Sequence, residues 1–287
     1  MDGALGRVPA LVPAVSLARA NGRLELARSM AFAAGPALGG ALVSFAGASA
    51  AFALASALSV FAVVVLLRLR EPARARIPAR HPWLELREGA AMVWQHALLR
   101  PILLTAVAWN FSWFVLQSAY VPYAMRLLGL DAAGVGLTLA AYGVGMVVGA
   151  LLAARVVSAM SFGRAIQLGP LVSVLAALVM VLTLAWPSGK LAAGAFFLFG
   201  AGPIIWTITS TTLRQTVTPH AMLGRVSSIF LTVNTGVRPL GAAMGGLAGS
   251  LWGEPACLVL ALSGFCVQAW IILRSSVSGL QRLPAAA

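Results

Sequence analysis

Long, nearly unbroken apolar runs fill this sequence, and short polar stretches separate them. A helix needs about 20 consecutive apolar residues to cross the hydrocarbon core of a bilayer. On that measure the pattern predicts eight spans, at 24–46, 48–67, 101–125, 132–154, 165–186, 190–212, 226–250 and 255–273. Most connections are only a few residues long, so neighbouring helices must run antiparallel. Barrel strands would be short segments of alternating polarity, and these runs are long and continuous. The first 22 residues do not read as a signal peptide, because the apolar stretch around Ala10–Val15 is short and carries proline. The expected fold class is an all-α integral membrane protein.

Composition agrees with this pattern. Hydrophobic residues make up 60% of the chain and charged ones 9%, against roughly a quarter charged in a soluble domain. The net charge of +13 would fit nucleic acid if it formed one face beside stacking aromatics. Its distribution argues otherwise. Seventeen of the twenty basic residues fall on one side of the predicted topology; Arg126 and Lys190 fall on the other, and Arg238 lies within a span. That asymmetry is the positive-inside rule, and it places both termini in the cytoplasm. The positive charge is topological, and nucleic acid is not expected. Cys257 and Cys266 share one apolar segment, and no ligand cluster accompanies them, so neither a metal nor a cofactor is expected.

One connection is long. Residues 69–100 begin with an arginine- and proline-rich stretch, Glu71-Pro72-Ala73-Arg74-Ala75-Arg76-Ile77-Pro78, which reads as an extended linker. Trp83, Leu86, Ala90, Val93 and Ala97 then recur at helical spacing. This predicts a short helix that either lies on the membrane surface or serves as a plain amphipathic connector. His81, His96 and His220 fall in connections and read as solvated side chains.

A weak internal repeat is also visible. Val12-Pro13 is followed by Arg19 and a span with Gly35-Pro36-Ala37-Leu38-Gly39-Gly40. Thr218-Pro219 is followed by Arg225 and a span with Arg238-Pro239-Leu240-Gly241. Each copy is a Pro-led loop, an Arg at a helix entrance, and a helix bent by Pro and thinned by Gly. With the long central loop and the six spans after it, this resembles a major facilitator superfamily transporter, of the bacterial branch that includes enterobactin exporters and macrolide efflux proteins.

The resemblance implies two six-helix bundles related by a pseudo-twofold. Residues 1–68 would be the remnant of an N-terminal bundle, its fifth and sixth helices. Residues 69–100 would be the cytoplasmic linker, 101–274 the complete C-terminal bundle and 275–287 a cytoplasmic tail. The first four helices of the family would be missing, and a partner could supply them. Gly35, Pro36, Gly39 and Gly40 match the family's antiporter motif; Gly149, Arg155, Gly163 and Arg164 match a degenerate gating loop that lacks its acid. The activity implied is efflux of a small amphipathic, siderophore-like or drug-like molecule by alternating access, proton-coupled at full length, in the bacterial inner membrane. The competing class is a non-transporting membrane fragment that scaffolds or regulates a partner, or an inactive truncated product. An enzyme is not expected, since no acid, base or nucleophile is grouped with partners.

Polar residues within spans are costly, and each is a candidate for function. Arg238 is the charged residue nearest the middle of a span, and Asn234 precedes it by one turn on the same face. Either a wet cavity surrounds Arg238 or carbonyls freed at Pro239 satisfy it. In the first span after the linker, Trp109, Trp113 and Tyr120 share one face and Asn110 and Gln117 an adjacent one. Trp206, with Thr207 and Ser210, forms a third candidate wall. The aromatic stripe reads equally as packing or as a binding surface.

Overall fold

The computed structural model describes residues 17–67 and 82–285. Within them the chain is all helical: α1 (Leu17–Leu67), α2 (Pro82–Gln95), α3 (Leu99–Arg126), α4 (Ala132–Ala159), α5 (Phe162–Leu182), α6 (Gly189–Val217), α7 (Leu223–Trp252) and α8 (Glu254–Leu273), with 3-10 turns at His220–Met222 and Ser276–Gly279. The backbone of α1 leaves helical geometry at Gly47, with φ 81° and ψ 167°, between the two spans expected there.

The turns have local causes. Gly129 adopts φ 66° after α3, a left-handed conformation open to glycine, and the Asp131 carboxylate then caps α4 by accepting from Gly134 N at 2.7 Å. Gly253 (φ 80°) alone joins α7 to α8, whose first turn holds a proline. These tight reversals make the helices antiparallel.

Helix α6 packs between α4 and α5, α3 packs between α7 and α8, and α5 against α8 joins the two sets; α1 lies against α4 and α6. Helices α3, α4, α5, α6 and α8 are long and apolar enough to cross a membrane. Of the other expected spans, Ser49–Val65 is apolar but short, and α7 is interrupted by Asn234 and Arg238. The outer surface is apolar, with Leu137, Leu175, Leu247 and Val267 exposed and Trp186, Trp252 and Trp270 exposed near helix ends. That arrangement suits lipid, not water.

At one end, α2 packs on α7 and α3. Arg225 reaches from α7 to Glu88 at 2.6 Å and Glu85 at 3.2 Å. The face turned inward carries Gly89, Met92 and Val93, whereas Trp83, Leu86, Ala90 and Ala97 of the expected stripe are not buried. Only Val93 of that stripe packs into the protein core; apolar periodicity alone does not say whether lipid or protein covers a face. The chain after α8 crosses the same end. Val277 is fully buried, and the Leu280 carbonyl accepts from Gly163 N at 2.7 Å, closing the start of α5.

His96, expected to be solvated, is half-buried. Its Nδ1 accepts from Leu98 N at 3.2 Å and Leu99 N at 3.4 Å, capping α3. Burial holds the imidazole below its ordinary pKa of 6.5, so the unfolded chain binds the proton more readily. The stabilisation is therefore present above 6.5 and is lost as pH falls below it. Between about pH 7.5 and 5.5 the thermal midpoint of the purified protein should drop. His96→Asn keeps an acceptor for the cap and should remove that part of the pH dependence. Loss of the cap in His96→Ala should cost about 1 kcal/mol near neutral pH. Identical pH profiles for all three proteins would contradict this.

Candidate functional site

A cavity of about 570 Å³ opens between α3, α4, α6 and α7, with Gln268 of α8 at its wall. That volume suits a small organic ligand. Prolines lie within three of the four main walls, at Pro122 in α3, Pro203 in α6 and Pro239 in α7, and each removes a backbone donor from its helix.

The α3 wall presents Trp109, Asn110, Trp113 and Gln117. Trp109 and Trp113 stack at 5.3 Å between ring centroids with 12° between planes, and Trp113 continues onto Tyr142 of α4 at 5.0 Å. Phe196 and Phe199 of α6 meet Trp113 edge-on. The result is a continuous aromatic tier along one side of the cavity.

The cavity is also lined by cations. Arg238 Nε donates to Asn110 Oδ1 at 3.0 Å, and Asn110 Nδ2 donates to the Ala106 carbonyl at 2.9 Å. The guanidinium sits 5.7 Å from the Phe114 ring centroid. The sequence offers either a wet cavity around Arg238 or carbonyls freed at Pro239; Arg238 lines the cavity, and its partner is an amide on another helix, because α3 packs directly against α7. Among the described residues neither Nη atom of Arg238 has a further partner.

A second arginine lines the same cavity. Arg214, counted in the sequence with the basic side, places its guanidinium 4.7 Å over the Phe230 ring, and its buried Nε has no partner among the described residues. Buried polar atoms without partners are uncommon. Here Trp109 Nε1, Trp206 Nε1, Asn234 Oδ1 and Gln268 Oε1 are all in that state, and all four residues line the cavity. Among the described residues that line it there is no Asp, Glu or Lys.

Seven of the eight residues singled out on the sequence thus border one space: Trp109, Asn110, Trp113, Gln117, Trp206, Asn234 and Arg238, together with Thr207 and Ser210. Tyr120 does not. It is fully buried, packs edge-on against Phe196 and shares a hydrogen bond with Thr138. Sequence reasoning missed Arg214, Tyr142 and Gln268. Gln268 carried a usable signal, a lone amide inside an apolar span.

Of the antiporter-like residues, Gly35 is exposed, and a β-carbon there would meet nothing within 4 Å. The surroundings of Pro36, Gly39 and Gly40 lie outside what the structure describes. Gly149 sits where α4 meets Ala201 and Ile204 of α6, and Gly163 sits under the strand of chain at Val277–Ser278. Arg155 and Arg164 are exposed, without an acidic partner among the described residues.

Residues 4–242 match the profile of the Major Facilitator Superfamily. The chain belongs to that superfamily. It is 30% identical over 259 residues to the uncharacterized MFS-type transporter y4rN of Sinorhizobium fredii, covering 84% of this chain and 59% of that protein. Its fold is similar to the crystal structure of a bacterial homologue of the iron transporter ferroportin in an outward-facing state. That match has a TM-score of 0.67 at 17% identity and covers 93% of this chain and 66% of the other. This major facilitator chain therefore spans less than two thirds of either protein. Family and apolar helices together make it a multi-pass membrane protein of a transporter family, not of an enzyme family.

Proposed function

We propose that this major facilitator chain contributes the substrate cavity of a secondary-active exporter for a small amphipathic molecule, working by alternating access. The observation that carries the reading is the cavity itself, which combines aromatic rings with unpartnered polar atoms and two arginines. It is enclosed by helices whose outer faces are apolar and suit lipid. Binding there lets a molecule with a flat apolar part and a charged part satisfy the unpartnered atoms.

Coupling to protons is part of the proposal and comes from the family resemblance. The described residues lining the cavity include no carboxylate to carry the proton, so that group has to lie elsewhere. The membrane is proposed to be the bacterial inner membrane with both ends of the chain cytoplasmic, from the split of arginines. Reporter fusions after Gly129 and Pro187 should read as periplasmic, and fusions after Arg80 and Ala287 as cytoplasmic. Reversal at two of these four sites would contradict the orientation.

Transport is tested by flux. Proteoliposomes holding the purified chain, with an imposed pH gradient, should move at least one amphipathic dye saturably, and Asn110→Ala should reduce that movement several-fold. Saturable binding of the dye with no flux under any gradient favours the other reading, a membrane protein that binds without transporting.

A further inference from the structure

The charge and shape of the cavity narrow its ligand, given the reading of this cavity as a substrate site. Two guanidinium groups line it, and no acid among the described lining residues offsets them. The cavity therefore has positive potential. Asn110 takes only the Nε–H of Arg238. The two Nη groups remain as a fork, the arrangement that receives a carboxylate through two parallel hydrogen bonds. Asn110 is itself fixed by the Ala106 carbonyl, so the fork is held in place before any ligand arrives.

The aromatic tier begins beside this fork. Trp109 adjoins Asn110 in sequence, and its ring lies nearly parallel to that of Trp113. The unpartnered indole N–H groups of Trp109 and Trp206 add donors, not acceptors. A cation would find the Asn234 and Gln268 oxygens but would face two arginines. A neutral aromatic would leave the fork empty. The second arginine is rooted at a different level of the cavity. Phe230, which carries Arg214, and Arg238 are eight residues apart on α7, about 12 Å along the axis.

We propose that the cavity selects a planar aromatic monocarboxylate, with the carboxylate on the Arg238 fork and the ring against Trp109 and Trp113. Arg214 forms a second station for the anion, two helical turns away at the end of the cavity near α2.

Isothermal titration of the purified chain in lipid nanodiscs tests this, with the signal from empty nanodiscs subtracted. The probes are 2-naphthoate, 2-naphthylmethanol, 2-naphthylmethylammonium and cyclohexanecarboxylate. Naphthoate should bind roughly tenfold or more tightly than the alcohol and the ammonium, the scale of one charge-assisted contact. It should also outcompete cyclohexanecarboxylate, which lacks the flat ring. Arg238→Ala should remove the preference for the acid, so that naphthoate and the alcohol bind alike. Arg238→Lys should restore part of it, because the charge returns without the fork. Arg214→Gln should weaken naphthoate several-fold and the alcohol less.

Binding of the ammonium or the alcohol as tight as that of naphthoate would overturn the proposal. So would an acid preference that survives both Arg238→Ala and Arg238→Gln. The outcome separates cleanly from transport. Flux of dyes without acid preference overturns the proposal and leaves the exporter reading standing. Acid preference without flux supports the proposal and counts against transport by this chain alone.

Discussion

Leucine at position 200 is expected to stop α4 and α6 from closing on each other, and little correctly folded protein should be recovered. A β-carbon on Gly200 would run into the Tyr142 carbonyl, with Met146 N 2.7 Å away. Across the seam, a β-carbon on Gly145 would strike the Phe197 carbonyl, and one on Gly149 would lie 2.8 Å from Ala201 Cα. These are backbone atoms of both helices, so no side-chain rotation relieves the contact. This is close approach through small residues, which drives helix packing where lipid removes the hydrophobic advantage of association. Even alanine at 200 should cost about 1–3 kcal/mol from overpacking. Gly194 on the same helix provides the control, since a β-carbon there would meet nothing within 4 Å. Size-exclusion profiles should show Gly200→Leu aggregated and Gly194→Leu monodisperse. Equal behaviour of the two would contradict the seam.

Trp113→Ala is expected to have the largest effect within the cavity wall. The side chain is buried and meets four rings: Trp109, Tyr142, Phe196 and Phe199. Truncation opens a void where three helices meet and should cost about 3–5 kcal/mol. It should also dismantle the tier on which an aromatic ligand stacks. Trp113→Phe keeps a ring, so it should retain most of the stability and part of the binding. Trp186→Ala, on an exposed residue at a helix end, should change stability by no more than about 0.5 kcal/mol. Thermal unfolding of the three variants gives the comparison, and a Trp113→Ala protein as stable as Trp186→Ala would remove the aromatic tier from the account.

The elements were legible because a bilayer imposes long apolar runs, and the gap left at residue 47 between two of them falls where Gly47 breaks α1. The cavity was partly legible for the same reason. Asn110, Gln117, Asn234 and Arg238 stand out because polar groups inside spans need a cause. What stayed hidden depends on packing between distant elements. Asn110 and Arg238 are 128 positions apart, and nothing local to either announces the pair. Arg214 resembles a topological charge near the end of its span, and only the approach of Phe230 from α7 turns it toward the cavity. Tyr120 keeps the spacing of its neighbours, but contact with Thr138 and Phe196 takes it into the core. His96 looks like any loop histidine in the sequence, and only the turn between α2 and α3 places two N–H groups on its ring.

The most direct test of the central claim asks whether the cavity opens to both sides of the membrane. Gln117→Cys places a single reactive thiol on the cavity wall in a Cys266→Ser background. Cys257 can remain, since it is buried with Sγ 3.2 Å from the Gly245 carbonyl. A membrane-impermeant maleimide is then applied from outside to intact cells and, separately, to inside-out vesicles. Alternating access predicts labelling from both sides, with an added transported ligand raising the rate from one side as it lowers the rate from the other. Labelling from one side only, unchanged by every ligand that binds, would contradict it.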